Sequence, residues 1–146
     1  MTELNDQVVA EFRANAGMVV HAMGGHFKDI HLLLLHHTGR RSGRRYMTPL
    51  LYVQDGDTYV LVGSNGGAEM EPAWVANVAA MPEVEIEVGE GTVAAKPTIV
   101  REGPEWHRLQ AAAVAYWPDI LDYQTHTTRT FPLIVLDPVA DPARPR

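Results

Sequence analysis

The sequence predicts an α+β fold, mainly antiparallel, with about six strands in one sheet and two to four helices inserted between them. Three observations support this. Tight turns at Asp55-Gly56-Asp57 and Gly89-Glu90-Gly91 join neighbouring apolar runs, as hairpins require. Glu83, Glu85 and Glu87 alternate with Val84, Ile86 and Val88, a period-2 pattern that predicts a half-buried strand with its acidic face in water. The helical segments are too few and too unevenly placed to serve as regular βαβ crossovers. A small barrel or a strongly coiled sheet follows.

Taken in order, Asn5 or Asp6 caps a first helix carrying Val8, Val9 and Phe12, with Gly17 near its end. Ile30 to His37 reads as a strand buried on both faces along Leu32 to Leu35. A turn rich in arginine leads to a second strand, Arg45 to Val53. Pro49 lies inside it and lacks an N–H, which marks an edge, a bulge or a place where a ligand meets the backbone. Thr58 to Val62 is the third strand, running into the Gly63-Ser64-Asn65-Gly66-Gly67 loop. Pro72 opens a helix to about Ala80 that presents Trp74, Val75 and Val78. The Glu83–Val88 strand and a fifth, Thr92 to Val100 with an irregularity at Pro97, come next. Pro104 opens a helix through Tyr116 that Pro118 stops, and Asp119 to Thr128 is partly helical. Phe131 to Leu136 is the last strand.

With 146 residues the chain reads as one domain, residues 1–146. Its core spans about 12–138, with an N-terminal helix at about 5–16 and a loose tail at 138–146. Cys is absent, which excludes a disulfide framework, a thiol nucleophile and a cysteine metal site, and suits a reducing cytoplasm. No apolar run spans a bilayer, although peripheral membrane contact stays open. The net charge of −6 argues against nucleic acid as a partner, since such binding draws on phosphate neutralisation. His21, His26, His31 and His36 recur every fifth residue, a step that gathers side chains on neither a helix face nor a strand face, so no metal site is expected.

Against that acidic balance, Arg40, Arg41, Arg44 and Arg45 place four of the twelve Lys and Arg residues in one turn. Gly39, Ser42 and Gly43 make the segment a turn between strands, rich in N–H groups and well suited to an anion. A solvated hairpin with arginines for solubility accounts for this stretch equally well. Ser64 and Tyr123 are candidate hydrogen-bond donors for positioning a substrate. No nucleophile elbow, phosphate-binding P-loop, dinucleotide fingerprint or zinc motif is present. The residues therefore suit a protein that holds a cofactor and leaves the hard chemistry to it.

Three blocks stand in a recognisable order: Thr38-Gly-Arg-Arg-Ser-Gly with Thr48-Pro-Leu; Ser64-Asn-Gly-Gly-Ala with Pro72-Ala-Trp-Val-Ala-Asn77 and Met81-Pro82; and Asp122-Tyr-Gln with Arg129-Thr-Phe-Pro132. Together they resemble the deazaflavin-dependent nitroreductase family of actinobacteria, over about Phe12 to Pro138. The resemblance implies a split β-barrel of the FMN-binding type and coenzyme F420, an 8-hydroxy-5-deazaflavin with a phosphate and an oligoglutamate tail. It implies that Arg40, Arg41 and Ser42 meet the phosphate and tail. Tyr46, Met47, Thr48, Pro49, Leu50 and Leu51 would line one side of the ring. Val62, Gly63, Ser64 and Asn65, with Ala73, Trp74, Val75, Ala76 and Asn77, would close the other. Two departures stand out: Asn65 replaces the family's common Lys, and Trp117 and Ile120 take positions where nitroreductase members carry tyrosines, leaving Tyr123.

The resemblance implies a cytoplasmic reductase, a monomer or homodimer, passing a hydride from reduced F420 to a small acceptor of quinone, enone or nitroaromatic type. Trp117, Ile120 and Tyr123 are expected to form a lid over that acceptor. The alternatives are an FMN-dependent oxidoreductase on the same fold, a non-catalytic deazaflavin binder and a metal-binding protein using the histidines.

Overall fold

The computed structural model describes residues 3–15, 17 and 31–139. Helix α1 (Glu3–Ala14) precedes β1 (Leu32–Thr38), β2 (Arg45–Leu51), β3 (Val53–Asp55) and β4 (Thr58–Val62). A short 3-10 turn (Asn65–Gly67) leads to α2 (Ala73–Ala79), then β5 (Val84–Val88) and β6 (Gly91–Val100). Helices α3 (Pro104–Tyr116) and α4 (Asp119–Gln124) precede β7 (Leu133–Pro138). The seven strands form one sheet in the order β2-β1-β5-β6-β7-β4-β3, and every pairing is antiparallel.

Strands β2 and β3 stand at opposite edges of this sheet, yet only Tyr52 separates them in the chain. Two backbone steps reach at most about 7 Å. In a flat sheet the outermost of seven strands would lie about 29 Å apart, six intervals of about 4.8 Å. The sheet therefore has to curl until its edges meet at Tyr52, which gives a half-barrel. The mixed α+β architecture and antiparallel sheet expected from the sequence are present, with one correction. The run predicted as a single strand from Arg45 to Val53 breaks at Tyr52 into β2 and β3, so the described residues hold seven strands where about six were expected.

Four consecutive leucines in β1 are buried because both faces are covered. Leu33 and Leu35 point into the barrel core with Leu61, Val75, Val78, Ile86 and Ile134, while Leu32 and Leu34 pack beneath Val8, Val9 and Phe12 of α1. Each contributes about 1.5–3 kcal/mol of burial. Pro49 lies on the edge strand β2, opposite Leu34, where its missing N–H costs no internal ladder bond. Pro97 causes no irregularity: β6 pairs in unbroken register with β7, and Pro97 falls past Ala95, where β5 pairing ends.

Other boundaries shift. Helix α1 already includes Glu3, so Asn5 and Asp6 lie within it and do not cap it. Pro72 is the N-cap of α2 and not its first helical residue. The last strand runs Leu133–Pro138, although Phe131 is fully buried just before it. The expected acidic face of β5 is only partly in water. Glu85 is exposed, but Glu87 accepts from Arg13 Nε at 3.2 Å and Nη2 at 2.8 Å and lies 2.6 Å from His36 Nε2. The hydrogen bond from Arg13 leads the effects that hold this carboxylate below its usual range. This ties α1 to the sheet. Ile30, His21, His26 and the tail from residue 140 lie outside the described residues.

Phe12 is 1% exposed and anchors α1 over β1. Phe12→Ala should destabilise the protein by about 3–5 kcal/mol. Chemical denaturation should show this as a lowered midpoint with an unchanged slope.

Candidate active site

The β1–β2 connection is a turn closed by its own backbone. Gly43 N donates to the Gly39 carbonyl at 2.9 Å, Gly39 N to the Arg44 carbonyl at 2.8 Å, and Arg44 N to Ser42 Oγ at 3.1 Å. Gly43 has φ +70°, a conformation that glycine adopts without strain. Arg40, Arg41, Arg44 and Arg45 are exposed. Among the described residues, the arginine–carboxylate pairs are made by Arg13, Arg101 and Arg108, and none by these four. Four uncompensated guanidinium groups on one turn of an acidic protein form a local anion trap. A cavity of about 420 Å³ opens between this turn and α2. Arg40, Arg41, Ser42 and Tyr46 line one side, and Ala73, Ala76 and Asn77 the other.

A second cavity of about 400 Å³ also borders α2, through Trp74. The β2 residues Thr48, Pro49, Leu50 and Leu51 form one wall, and Val62, Ser64 and Asn65 with Trp74 form another. Trp117, Ile120 and Tyr123 complete it, joined by Gly66 and Pro72. Helix α2 is thus a shared partition, giving Ala73, Ala76 and Asn77 to one cavity and Trp74 to the other. Trp74 also belongs to the barrel core at 7% exposure. Met47, Gly63 and Val75 line neither cavity. Met47 packs with the α1 cluster, and Val75 is fully buried in the core. Gly63 lies against Pro132, where a Cβ would come within 2.7 Å of the ring.

The segment expected to act as a lid is a packed wall. Ile120 is 2% exposed and clusters with Ala113 and Phe131. The Gly63–Gly67 loop meets α4 so closely that a Cβ on Gly67 would sit 2.3 Å from the Tyr123 carbonyl oxygen. Arg129 fastens the same loop, donating to the carbonyls of Gly63 (3.1 Å), Ser64 (2.7 Å) and Ala68 (2.8 Å), with its guanidinium 4.8 Å from the Phe131 ring centroid. Its carbonyl partners lie some sixty residues earlier in the chain, so no local pattern announces this role. Asn65 turns its amide to the Met70 carbonyl at 3.0 Å and stays within its own loop. Ser64 and Tyr123 both line the second cavity.

His37 is the residue that sequence reasoning missed. It is 6% exposed, stacks on Tyr46 at 5.4 Å between ring centroids, and lines the first cavity. Its Nδ1 lies 3.1 Å from Asn77 Nδ2 and its Nε2 2.8 Å from Thr48 Oγ1. Burial, aided by the neighbouring His36, lowers its pKa to about 4, so the ring is neutral at physiological pH. His36, one residue earlier on the strand, turns instead to Glu87.

These two cavities suit a ligand with a planar ring and an anionic arm. Unpaired guanidinium groups match phosphate and carboxylate oxygens, and the largely apolar second cavity matches a ring. A half-barrel with such a pair of cavities has the architecture of a split-barrel ring-cofactor binder, and the fold alone does not select the chemistry. Comparison with known proteins narrows this. The family model described as F420H(2)-dependent quinone reductase matches residues 7–138, and the chain belongs to that family. An F420H(2)-dependent quinone reductase of Mycobacterium tuberculosis is 36% identical over 130 residues, covering 87% of this chain and 85% of the relative. The solved structure of an F420-H2 dependent reductase, FDR-A, is 31% identical with a TM-score of 0.66, covering 73% of this chain and 93% of that one. Another solved structure, described as a domain-swapped dimer, is 26% identical with a TM-score of 0.68, covering 90% and 95%. The cofactor implied by the family is coenzyme F420, and the protein is an oxidoreductase.

Because the native His37 resists protonation, the unfolded chain binds the proton first, near its ordinary pKa of about 6.5. The stability His37 contributes is full above that value and is lost as pH falls toward about 4. The loss should be on the order of 2–3 kcal/mol. Denaturation midpoints measured from pH 7.5 to 4 should fall more steeply in the wild type than in His37→Gln.

Proposed function

We propose that this protein reduces a quinone with F420H2. The arginine turn would hold the cofactor's phosphate and acidic tail, and the Thr48–Leu51 cavity its ring. The observation that carries this reading is the pairing of an arginine-rich cavity with an apolar one across a single helix. When bound, the reduced deazaflavin would supply the hydride, from a ring carbon. Arg40 and Arg41, with Ser42, bind and orient the anionic arm. The β2 wall and Trp74 exclude water from the ring. Ser64 and Tyr123 offer their hydroxyls to an acceptor oxygen. Trp117 and Ile120 supply apolar surface where phenols would add hydrogen-bond donors, which favours a quinone over a nitroaromatic acceptor.

No described helix is long and apolar enough to cross a membrane. A cytoplasmic location and a monomeric or homodimeric state belong to the same proposal, the dimer supported by the domain-swapped form of a similar structure.

Titration followed by Trp fluorescence should give saturable binding of F420. FMN saturating at low micromolar concentration without a response to F420 would overturn the assignment. Arg40→Ala and Arg41→Ala should each weaken F420 binding by about 1.5–3 kcal/mol. Added salt should weaken the wild type more than either variant. An F420 analogue without its tail should be nearly indifferent to both substitutions.

A further inference from the structure

The two cavities are joined by a chain of hydrogen bonds whose direction can be worked out. Arg40 N–H donates to Asn77 Oδ1 at 3.1 Å. A backbone amide can only donate, so the Asn77 oxygen faces Arg40 and its NH2 faces His37 Nδ1, 3.1 Å away. His37 Nδ1 must then accept, and the ring proton resides on Nε2. That N–H donates to Thr48 Oγ1 at 2.8 Å. A hydroxyl that accepts this bond still has its own hydrogen, and Thr48 borders the second cavity. Arg40, Asn77 and His37 all border the first.

We propose that His37 is a positioning residue that makes the Thr48 hydroxyl a dedicated hydrogen-bond donor into the ring cavity and links that donor to the backbone of the arginine turn. The ligand atom it serves is an acceptor on a planar heterocycle, a carbonyl oxygen or an unprotonated ring nitrogen. The reversed arrangement is excluded: if Thr48 donated to His37 Nε2, the proton would move to Nδ1 and point at the Asn77 NH2. Asn77 could then face His37 only by turning its own NH2 toward the Arg40 N–H. Each bond in the chain therefore fixes the next. The neutral ring that burial imposes on His37 agrees with this order. On its other side His37 borders a groove carrying His36, Arg45, Glu83 and Glu85, and no hydrogen bond runs from these side chains to its ring among the described residues.

The inference rests on the reading of the second cavity as the ring site, but its first test does not. Long-range proton–nitrogen spectra of the ligand-free protein with 15N-labelled histidine should show His37 with its proton on Nε2. The signal is assigned by its loss in His37→Gln. A proton on Nδ1 would overturn the chain of bonds. The second test is F420 binding, read by fluorescence. Thr48→Val should weaken it about three- to tenfold, as for one hydrogen bond. Thr48→Ser, which keeps the hydroxyl, should restore it to within about twofold. His37→Leu should match Thr48→Val, and the double variant should bind no worse than Thr48→Val alone, because His37 acts through Thr48. Multiplying penalties, or Thr48→Val binding as the wild type does, would overturn the proposal. If His37→Leu does not fold, the His37 spectrum and the Thr48 variants still decide. A wild-type protein that binds no F420 would refute the functional reading while leaving the Nε2–H assignment to stand or fall on the spectra.

Discussion

Much of this structure depends on one covalent constraint, the single residue between β2 and β3. Tyr52 requires the two edges of a seven-stranded sheet to meet, and the curl that results turns a flat surface into a half-barrel with an inside. Its backbone N–H reaches the His31 carbonyl at 3.3 Å, and its ring meets Tyr59 edge-on at 5.3 Å between centroids. The corner is therefore held by contacts as well as by the chain. The same curl brings β2 toward β4, so that Thr48–Leu51 and Val62 face one cavity from different strands.

Helix α2 divides that space. Its buried face, Trp74, Val75 and Val78, belongs to the core, which makes the partition rigid, while Ala73 and Ala76 leave room beside the arginine turn. The loop before it packs against α4 through Gly67. Asn65, Gly66 and Gly67 all have positive φ, and the loop is held by Arg129 from outside. Loop carbonyls without a protein donor would otherwise need water. A guanidinium that satisfies three of them exchanges a solvated loop for a fixed one and costs little, because its charge stays partly exposed. The short α4 adds a wall anchored by Ile120, which packs with Ala113 and Phe131 where it borders the cavity.

Electrostatics separates the two halves of the site. The arginine turn concentrates positive charge at the surface, where water and salt moderate it, and none of its four arginines forms an ion pair with a described carboxylate. The interior relies on neutral polar groups, His37, Asn77 and Thr48, whose hydrogen bonds are directional and keep their order without a buried charge. An anionic arm and a neutral ring would each find the environment suited to it.

Local patterns in the sequence were enough to set the strand and helix types, the hairpin turns at Asp55-Gly56-Asp57 and Gly89-Glu90-Gly91, and the arginine turn, because each depends on residues a few positions apart. The alternation from Glu83 to Val88 showed a half-buried strand for the same reason. The residues of both cavities were largely legible through the order of the motif blocks, although Met47, Gly63 and Val75 line neither. What only the tertiary structure decided involves partners distant in the chain. The break at Tyr52 was hidden in a continuous apolar run, since a corner in a strand leaves no mark on composition. Glu87 read as a solvated acid until Arg13, 74 residues away, was brought to it. His37 looked like one more histidine in a five-residue recurrence, and Asn77 lies 40 positions further on. Side-chain alternation along a strand is written in the sequence, but which distant group waits on each face is set by the closure of the barrel.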